Sequence, residues 1–214
     1  MIKRTEGREM HMDKSNKSFW ERFAFIYTGF MKKNDRAYDE LCRRIRKHLT
    51  DADSVLELAC GTGQLTYRLA GDVKSWTATD FSPNMVEEAK NQGTGANIEF
   101  SVADATALIY EDQSFDAVVI ANALHIMPEP ANALLEICRV LKPGGLLFAP
   151  TFVYDGNYNK VLILMMEKVG FHTFHKWKAR ELKDFVASHG FTIESGEVVK
   201  AKPLGECILI GRKK

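Results

Sequence analysis

Between residues 54 and 153, short apolar or β-branched runs alternate with segments of helical period, and this alternation restricts the possible folds more than any other feature. It is the pattern of βαβ units feeding a mostly parallel sheet. Strands are expected near Ser54–Leu58, Ser75–Thr79, Ile98–Ala103, Phe115–Ala121 and Leu146–Phe152, with helices near Gln64–Leu69, Pro83–Asn91 and Ala131–Leu141. Ser82 suits an N-cap followed by Pro83 in the first turn, and Pro143-Gly144-Gly145 reads as a stop and turn before the next strand. A further helix is expected near Arg180–His189, closed by Gly190, then strands near Thr192–Val199 and Glu206–Gly211. The link between those two strands is too short for a helical crossover, so they should form an antiparallel pair. The expected architecture is a doubly wound α/β fold: a mostly parallel seven-stranded sheet, helices on both faces and an antiparallel terminal strand pair.

The 214 residues fit one core, and we expect a single domain over residues 18–214 preceded by a mobile arm over residues 1–17. Residues 18–50 should form amino-terminal cap helices. The first has an aromatic face that includes Phe19, Phe23, Tyr27 and Phe30, and the second, over Arg36–His48, buries Leu41, Ile45 and Leu49. Residues 154–178 are less regular and rich in Met, Phe and Trp, as suits a lid or pocket wall. Twenty-nine Lys and Arg against 28 Asp and Glu give a net charge of +1, so no global field draws the chain to nucleic acid. The four cysteines, Cys42, Cys60, Cys138 and Cys207, form no CxxC pair, and no signal-peptide pattern or apolar run of spanning length is visible. A cytoplasmic protein without a transmembrane segment is expected. His172 and His175 have no Cys or carboxylate at ligand spacing, so no metal site is expected.

The chemistry begins at Val55-Leu-Glu-Leu-Ala-Cys-Gly-Thr-Gly63, an apolar strand that runs through Glu57 into a tight turn of small residues before a helix. Small residues admit a ligand close to the backbone, and the helix start directs N–H groups at it. Asp80 closes the second strand, seventeen positions beyond Gly63, near the ~20-residue spacing at which a carboxylate meets a ribose diol. Asp104 closes the third. The turn and the two carboxylates should therefore line up along the carboxyl edge of the sheet, where such folds bind ligands.

Five motifs occur in one order: Glu57-Leu-Ala-Cys-Gly-Thr-Gly63, Thr79-Asp-Phe-Ser-Pro-Asn-Met85, Ala103-Asp-Ala105, Phe115-Asp-Ala-Val-Val119 and Arg139-Val-Leu-Lys-Pro-Gly-Gly145. Together they resemble the class I S-adenosylmethionine-dependent methyltransferase family, and most closely its small-molecule branch. The resemblance implies S-adenosylmethionine as cofactor and S-adenosylhomocysteine as product. By position it implies that Asp80 accepts the ribose hydroxyls, Phe81 and Met85 pack on adenine, and Asp104 accepts from the adenine amino group while Ala105 donates a backbone N–H. The loop of Ala59, Cys60, Gly61 and Gly63, with Asn122, would cradle the methionine part. Glu57 would orient that loop or meet the ammonium, and Tyr27 would reach over the cofactor. Ala59 stands where the family usually has the first glycine of its loop, and Thr28 follows Tyr27 where the family often has Asp.

The expected activity is methyl transfer to a small, apolar or aromatic acceptor, not nucleic acid. A protein that binds the cofactor without catalysis is the first alternative, and an NAD-dependent oxidoreductase the second. The latter would need a third glycine where Thr66 stands. Because the sulfonium donor is already activated, a base is required only for some acceptors. His125, just past the fourth strand, is the candidate base, with packing or loop positioning as its alternative role.

Overall fold

The computed structural model describes residues 35–93, 95–156, 163, 168, 172–200 and 204–214. The expected arm, the aromatic helix with Tyr27, and residues 157–162, 164–167 and 169–171 of the expected lid lie outside the described residues.

Helix α1 (Asp35–Arg46) buries Leu41 and Ile45 as its period requires, while Arg43 and Arg44 pair with Glu40, and Arg46 with Asp72. Strands β1 (Ser54–Leu58), β2 (Ser75–Asp80), β3 (Ile98–Val102) and β4 (Phe115–Ile120) are parallel and lie in the order β3-β2-β1-β4. Between them run α2 (Thr66–Leu69), extended by a 3₁₀ turn at Ala70–Asp72, and α3 (Pro83–Gln92). The Ser82 hydroxyl caps α3 by accepting from Met85 N, with Pro83 in the first turn. After a 3₁₀ turn at Leu124–Ile126, α4 (Pro130–Val140) runs directly into β5 (Leu141–Phe148). Next come β6 (Thr151–Val153), α5 (Ala179–Ser188), β7 (Phe191–Val199) and β8 (Gly205–Lys213).

Strand β5 is parallel to β4, whereas β8 is antiparallel to β5, β6 and β7, which gives the expected antiparallel terminal pair. The sheet has eight strands where seven were expected. The strand expected over Leu146–Phe152 is in two parts: β5 pairs Leu146–Phe148 with β8, and β6 resumes the pairing from Thr151. Pro150, with no N–H to give the ladder, stands in the gap. A second correction concerns Pro143-Gly144-Gly145. It does not precede the strand but bulges out of it: Leu141 already faces Phe115, and pairing resumes at Leu146 opposite Ala117. Gly145 is packed so tightly there that a Cβ would lie 2.9 Å from Asp116 O.

Period-2 alternation along the strands divides the core between the two faces of the sheet. Leu56, Leu58, Val118, Ile120 and Leu147 face one way and pack with Leu134, Ile137, Leu182 and Val186 of α4 and α5. Val55, Trp76, Ala117, Val119 and Phe148 face the other, against Leu41 and Ile45 of α1 and Leu69 of α2. Among the described residues, helices cover both faces and leave the carboxyl ends of β1, β2, β3 and β4 as the open edge.

Candidate cofactor cleft

The loop after β1 is held in left-handed backbone conformations, with φ of +54° at Ala59, +55° at Gly61 and +80° at Gly63. Gly63 is fixed by sterics as well as by φ, since a Cβ there would lie 2.9 Å from the Tyr67 ring. The Tyr67 hydroxyl in turn donates to the carbonyls of Ala89 and Gly93, tying the loop's helix to the end of α3. Cys60 N donates to Thr79 O, so the loop is stitched to the end of β2.

Asp80 completes that stitch. One carboxylate oxygen accepts from Gly61 N and the other from Ser82 N, each at 2.9 Å. Burial raises its pKa, and the backbone N–H groups of Ser82, Gly61 and Phe81 oppose the shift. With three backbone N–H groups directed at it, the carboxylate still keeps acceptor capacity for a ligand, as it has about four acceptor positions. Asp104 uses Oδ1 to accept from Thr106 N (2.8 Å) and Thr106 Oγ1 (2.7 Å), an Asx-type turn that fixes its side chain at the end of β3.

Beneath the loop, Glu57 is 2 % exposed. Its Oε2 accepts from Thr66 Oγ1 (2.5 Å) and Trp76 Nε1 (2.8 Å), so this carboxylate braces β1 against α2 and β2. Burial, aided by the charge of Asp80, pushes its pKa up to about 7 against the pull of those two hydrogen bonds.

These residues border one cleft with two lobes that share Ala59, Phe81 and Met127. The larger lobe encloses about 960 Å³ including its open mouth, and is lined by Glu57, Cys60, Gly61, Asp80, Met85 and Asn122 besides the shared residues. Asp104 and Ala105 line the smaller lobe. Gly63 lies outside the lining and contributes through backbone shape alone, and Tyr27 falls outside the described residues. His125 is also outside the lining. It is 3 % exposed, edge-on to Phe152, and burial, helped by His175, pushes its pKa down to about 4. Its carbonyl accepts from Phe174 N and His175 N, so it anchors the segment that leads into α5.

Sequence reasoning did not anticipate Tyr38, Gln64, Ile126 or Met127 in the lining. Tyr38 lies one turn before Leu41 on the buried stripe of α1, which was a readable signal. Met127 follows a 3₁₀ turn that has no sequence signature. Among the described residues, the lining holds the carboxylates Glu57, Asp80, Asp104 and Glu129 and no Lys or Arg.

An acidic crevice at the carboxyl ends of parallel strands, with left-handed loop residues before a helix, is suited to an adenosine ligand of net positive charge. The model of a methyltransferase domain matches residues 55–145, the stretch that builds this crevice. Residues 55–145 thus carry a methyltransferase domain, and in motif order and fold that domain is similar to the class I S-adenosylmethionine-dependent methyltransferases. Its residues are 44% identical over 94 positions to a demethylmenaquinone methyltransferase of Clavibacter sepedonicus, covering 44% of this chain and 38% of that protein. The Haloferax volcanii methyltransferase solved in complex with the Trm112 activator superposes with a TM-score of 0.80 at 18% identity, over 92% of this chain and 96% of that one. The [4+2]-cyclase SpnF superposes with a TM-score of 0.67 at 26% identity, over 84% and 80% of the two chains. The chain spans half or less of the length of the first curated relatives it matches. Among the described residues, no helix is long and apolar enough to cross a membrane.

Proposed function

We propose that this protein transfers a methyl group from S-adenosylmethionine to a small aromatic acceptor of the quinol class. The observation that carries the reading is the cleft itself, in which the turn after β1, Asp80 and Asp104 stand at neighbouring strand ends. The residues present fit the cofactor. Asp80 has acceptor capacity left for the ribose beyond the N–H groups of Gly61, Ser82 and Phe81, Phe81 and Met85 offer apolar surface for adenine, and Asp104 meets the adenine amino group. Ala59, Gly61 and Asn122 cradle the methionine part. When bound, the cofactor supplies a methyl group already activated on a sulfonium.

The chain's own residues then have two tasks, to hold the acceptor in line and to exclude water. Ile126 and Met127 form an apolar wall beside Asn122 that suits a flat ring. His125 serves this reading as a packing residue: a buried imidazole outside the cleft lining cannot reach an acceptor's proton. The quinol class is favoured by the demethylmenaquinone methyltransferase likeness and by the absence of Lys and Arg from the described lining, which disfavours RNA. The likeness to SpnF supports one second reading, that the cleft binds the cofactor while the protein performs a different reaction.

The test is to incubate the protein with methyl-labelled cofactor and a panel of quinols, phenols, thiols, amines, phospholipids, RNA and protein. Label in the quinol or phenol arm supports the proposal, preferential label in RNA or protein refutes it, and cofactor binding without label in any arm favours the second reading. In the productive arm, replacing His125 by Gln should change turnover by less than about tenfold, below the ~100-fold or more that loss of a general base produces.

A further inference from the structure

Strand β8 carries Glu206 followed by Cys207, Ile208, Leu209 and Ile210, all buried. Glu206 is itself only 6 % exposed, hemmed between Phe152 of β6 and Val199 of β7. A carboxylate in such a place costs several kcal/mol unless it is paired, and an aliphatic side chain would suit the strand better. Among the described residues Glu206 has no cationic partner, and its hydrogen bond is one, from Asn122 Nδ2 to Oε1 at 2.8 Å. The interaction joins positions 84 residues apart in sequence.

Asn122 is no ordinary partner. Two residues past the end of β4, it takes a left-handed conformation (φ +52°), which few non-glycine residues adopt, and its N–H donates to Pro150 O at 2.7 Å. It also lines the cleft. Since a carboxylate only accepts, Glu206 dictates the amide orientation: Nδ2 turns toward the carboxylate and Oδ1 away from it. Oδ1 is buried without a hydrogen-bond partner among the described residues. The cleft wall at this point thus includes the Asn122 amide, with a carboxylate behind it that has no counter-charge among the described residues.

We infer that Glu206 makes the cleft select for charge, its carboxylate acting from behind Asn122 to favour the cofactor's sulfonium over the neutral thioether that remains after transfer. This rests on the proposed reading, which sets the methionine part against Asn122. Transfer moves the methyl group from sulfur to the acceptor and leaves the sulfur with both electrons of the broken bond, so its charge falls from +1 to zero. S-Adenosylmethionine therefore carries one more positive charge than S-adenosylhomocysteine, within the methionine part that the proposed reading sets against Asn122. A carboxylate in a poorly solvated position interacts strongly with that charge and weakly with the thioether. Burial raises the pKa of Glu206, and a cation in the cleft would work against that shift, which couples the two groups in the required sense. Glu206 is a specificity-determining residue in this account and touches no reacting atom. Its effect is to hold the substrate form of the cofactor and release the spent one.

The experiment compares calorimetric dissociation constants of S-adenosylmethionine and S-adenosylhomocysteine for the full chain and for Glu206→Gln, which keeps the shape and an acceptor for Asn122 but loses the charge. The expected result is an approximately tenfold weaker S-adenosylmethionine complex in the variant, with S-adenosylhomocysteine changed less than about threefold. Thermal unfolding of Glu206→Gln and Glu206→Met should show folds at least as stable as the parent, because a buried charge without a counter-charge has been removed. Equal weakening of both ligands, no change in either, or variants that fail to fold would overturn the inference, since Glu206 would then be a structural residue or a bystander. Failure of both ligands to bind the unaltered protein would instead overturn the proposed function, and this inference with it.

Discussion

Ala59 offers a direct test of the loop that forms the cleft. Its φ of +54° lies where an L-residue with a Cβ pays about 1–2 kcal/mol relative to glycine. Replacing Ala59 by Gly relieves that strain but loosens the unfolded chain by about 0.4–1 kcal/mol. It also removes a methyl group that is partly buried against the core, a further loss of about 0.4 kcal/mol at half burial. The net expectation is a gain of about 0.5 kcal/mol, or roughly 1–2 °C in melting temperature for a domain of this size. Ala59→Val at the same position places a β-branched residue in the left-handed region and should cost at least ~1 kcal/mol. Urea unfolding of the three proteins at one pH gives both differences. The order Gly, Ala, Val from most to least stable is expected. A valine variant as stable as the glycine variant would show that residue 59 is not left-handed, and the description of the loop would be wrong.

Asp80→Ala should weaken S-adenosylmethionine binding by about 1.5–3 kcal/mol, the range for hydrogen bonds to a charged group, as read by calorimetry, whereas Asp104→Asn, which keeps an acceptor, should cost less. The Glu57 carboxyl, with its pKa raised from 4.5 to about 7, binds a proton in the folded state over a range in which the unfolded chain has lost it. Its contribution to stability is therefore present below pH 4.5 and is lost as pH rises to 7, by about 3 kcal/mol in all. Subtracting the pH–stability curve of Glu57→Gln from that of the parent should reveal this fall, and a flat difference would contradict the buried, proton-holding carboxyl.

Much of the fold was legible because its signals are local. The strand over Ser54–Leu58, the Ser82–Pro83 start of α3 and the antiparallel end of the sheet each follow from a few neighbouring residues. Asp80 and Asp104 were legible for the same reason, as carboxylates at strand ends. What escaped sequence reading depends on partners distant in the chain. The bulge at Pro143–Gly145 exists because Leu141 pairs with Phe115, and a Pro-Gly-Gly run alone cannot distinguish a bulge from a stop. The division between β5 and β6 appears only when β8 runs alongside both. For Glu57 the sequence left two roles open, orienting the loop or meeting the ammonium, and only the bonds from Thr66 and Trp76 show one of its oxygens bracing the loop from beneath. Glu206 gave no signal at all, since its meaning depends on Asn122 across the sheet.

The most direct test of the central claim is a calorimetric titration of the folded protein with S-adenosylmethionine, S-adenosylhomocysteine and NAD in parallel. Saturable binding of both sulfur ligands at one site per chain, abolished when Asp80 and Asp104 are both replaced by Ala, with no heat from NAD, is the result predicted here. Absence of binding by either sulfur ligand, or binding that survives the double replacement, would contradict the assignment of this cleft as the cofactor site.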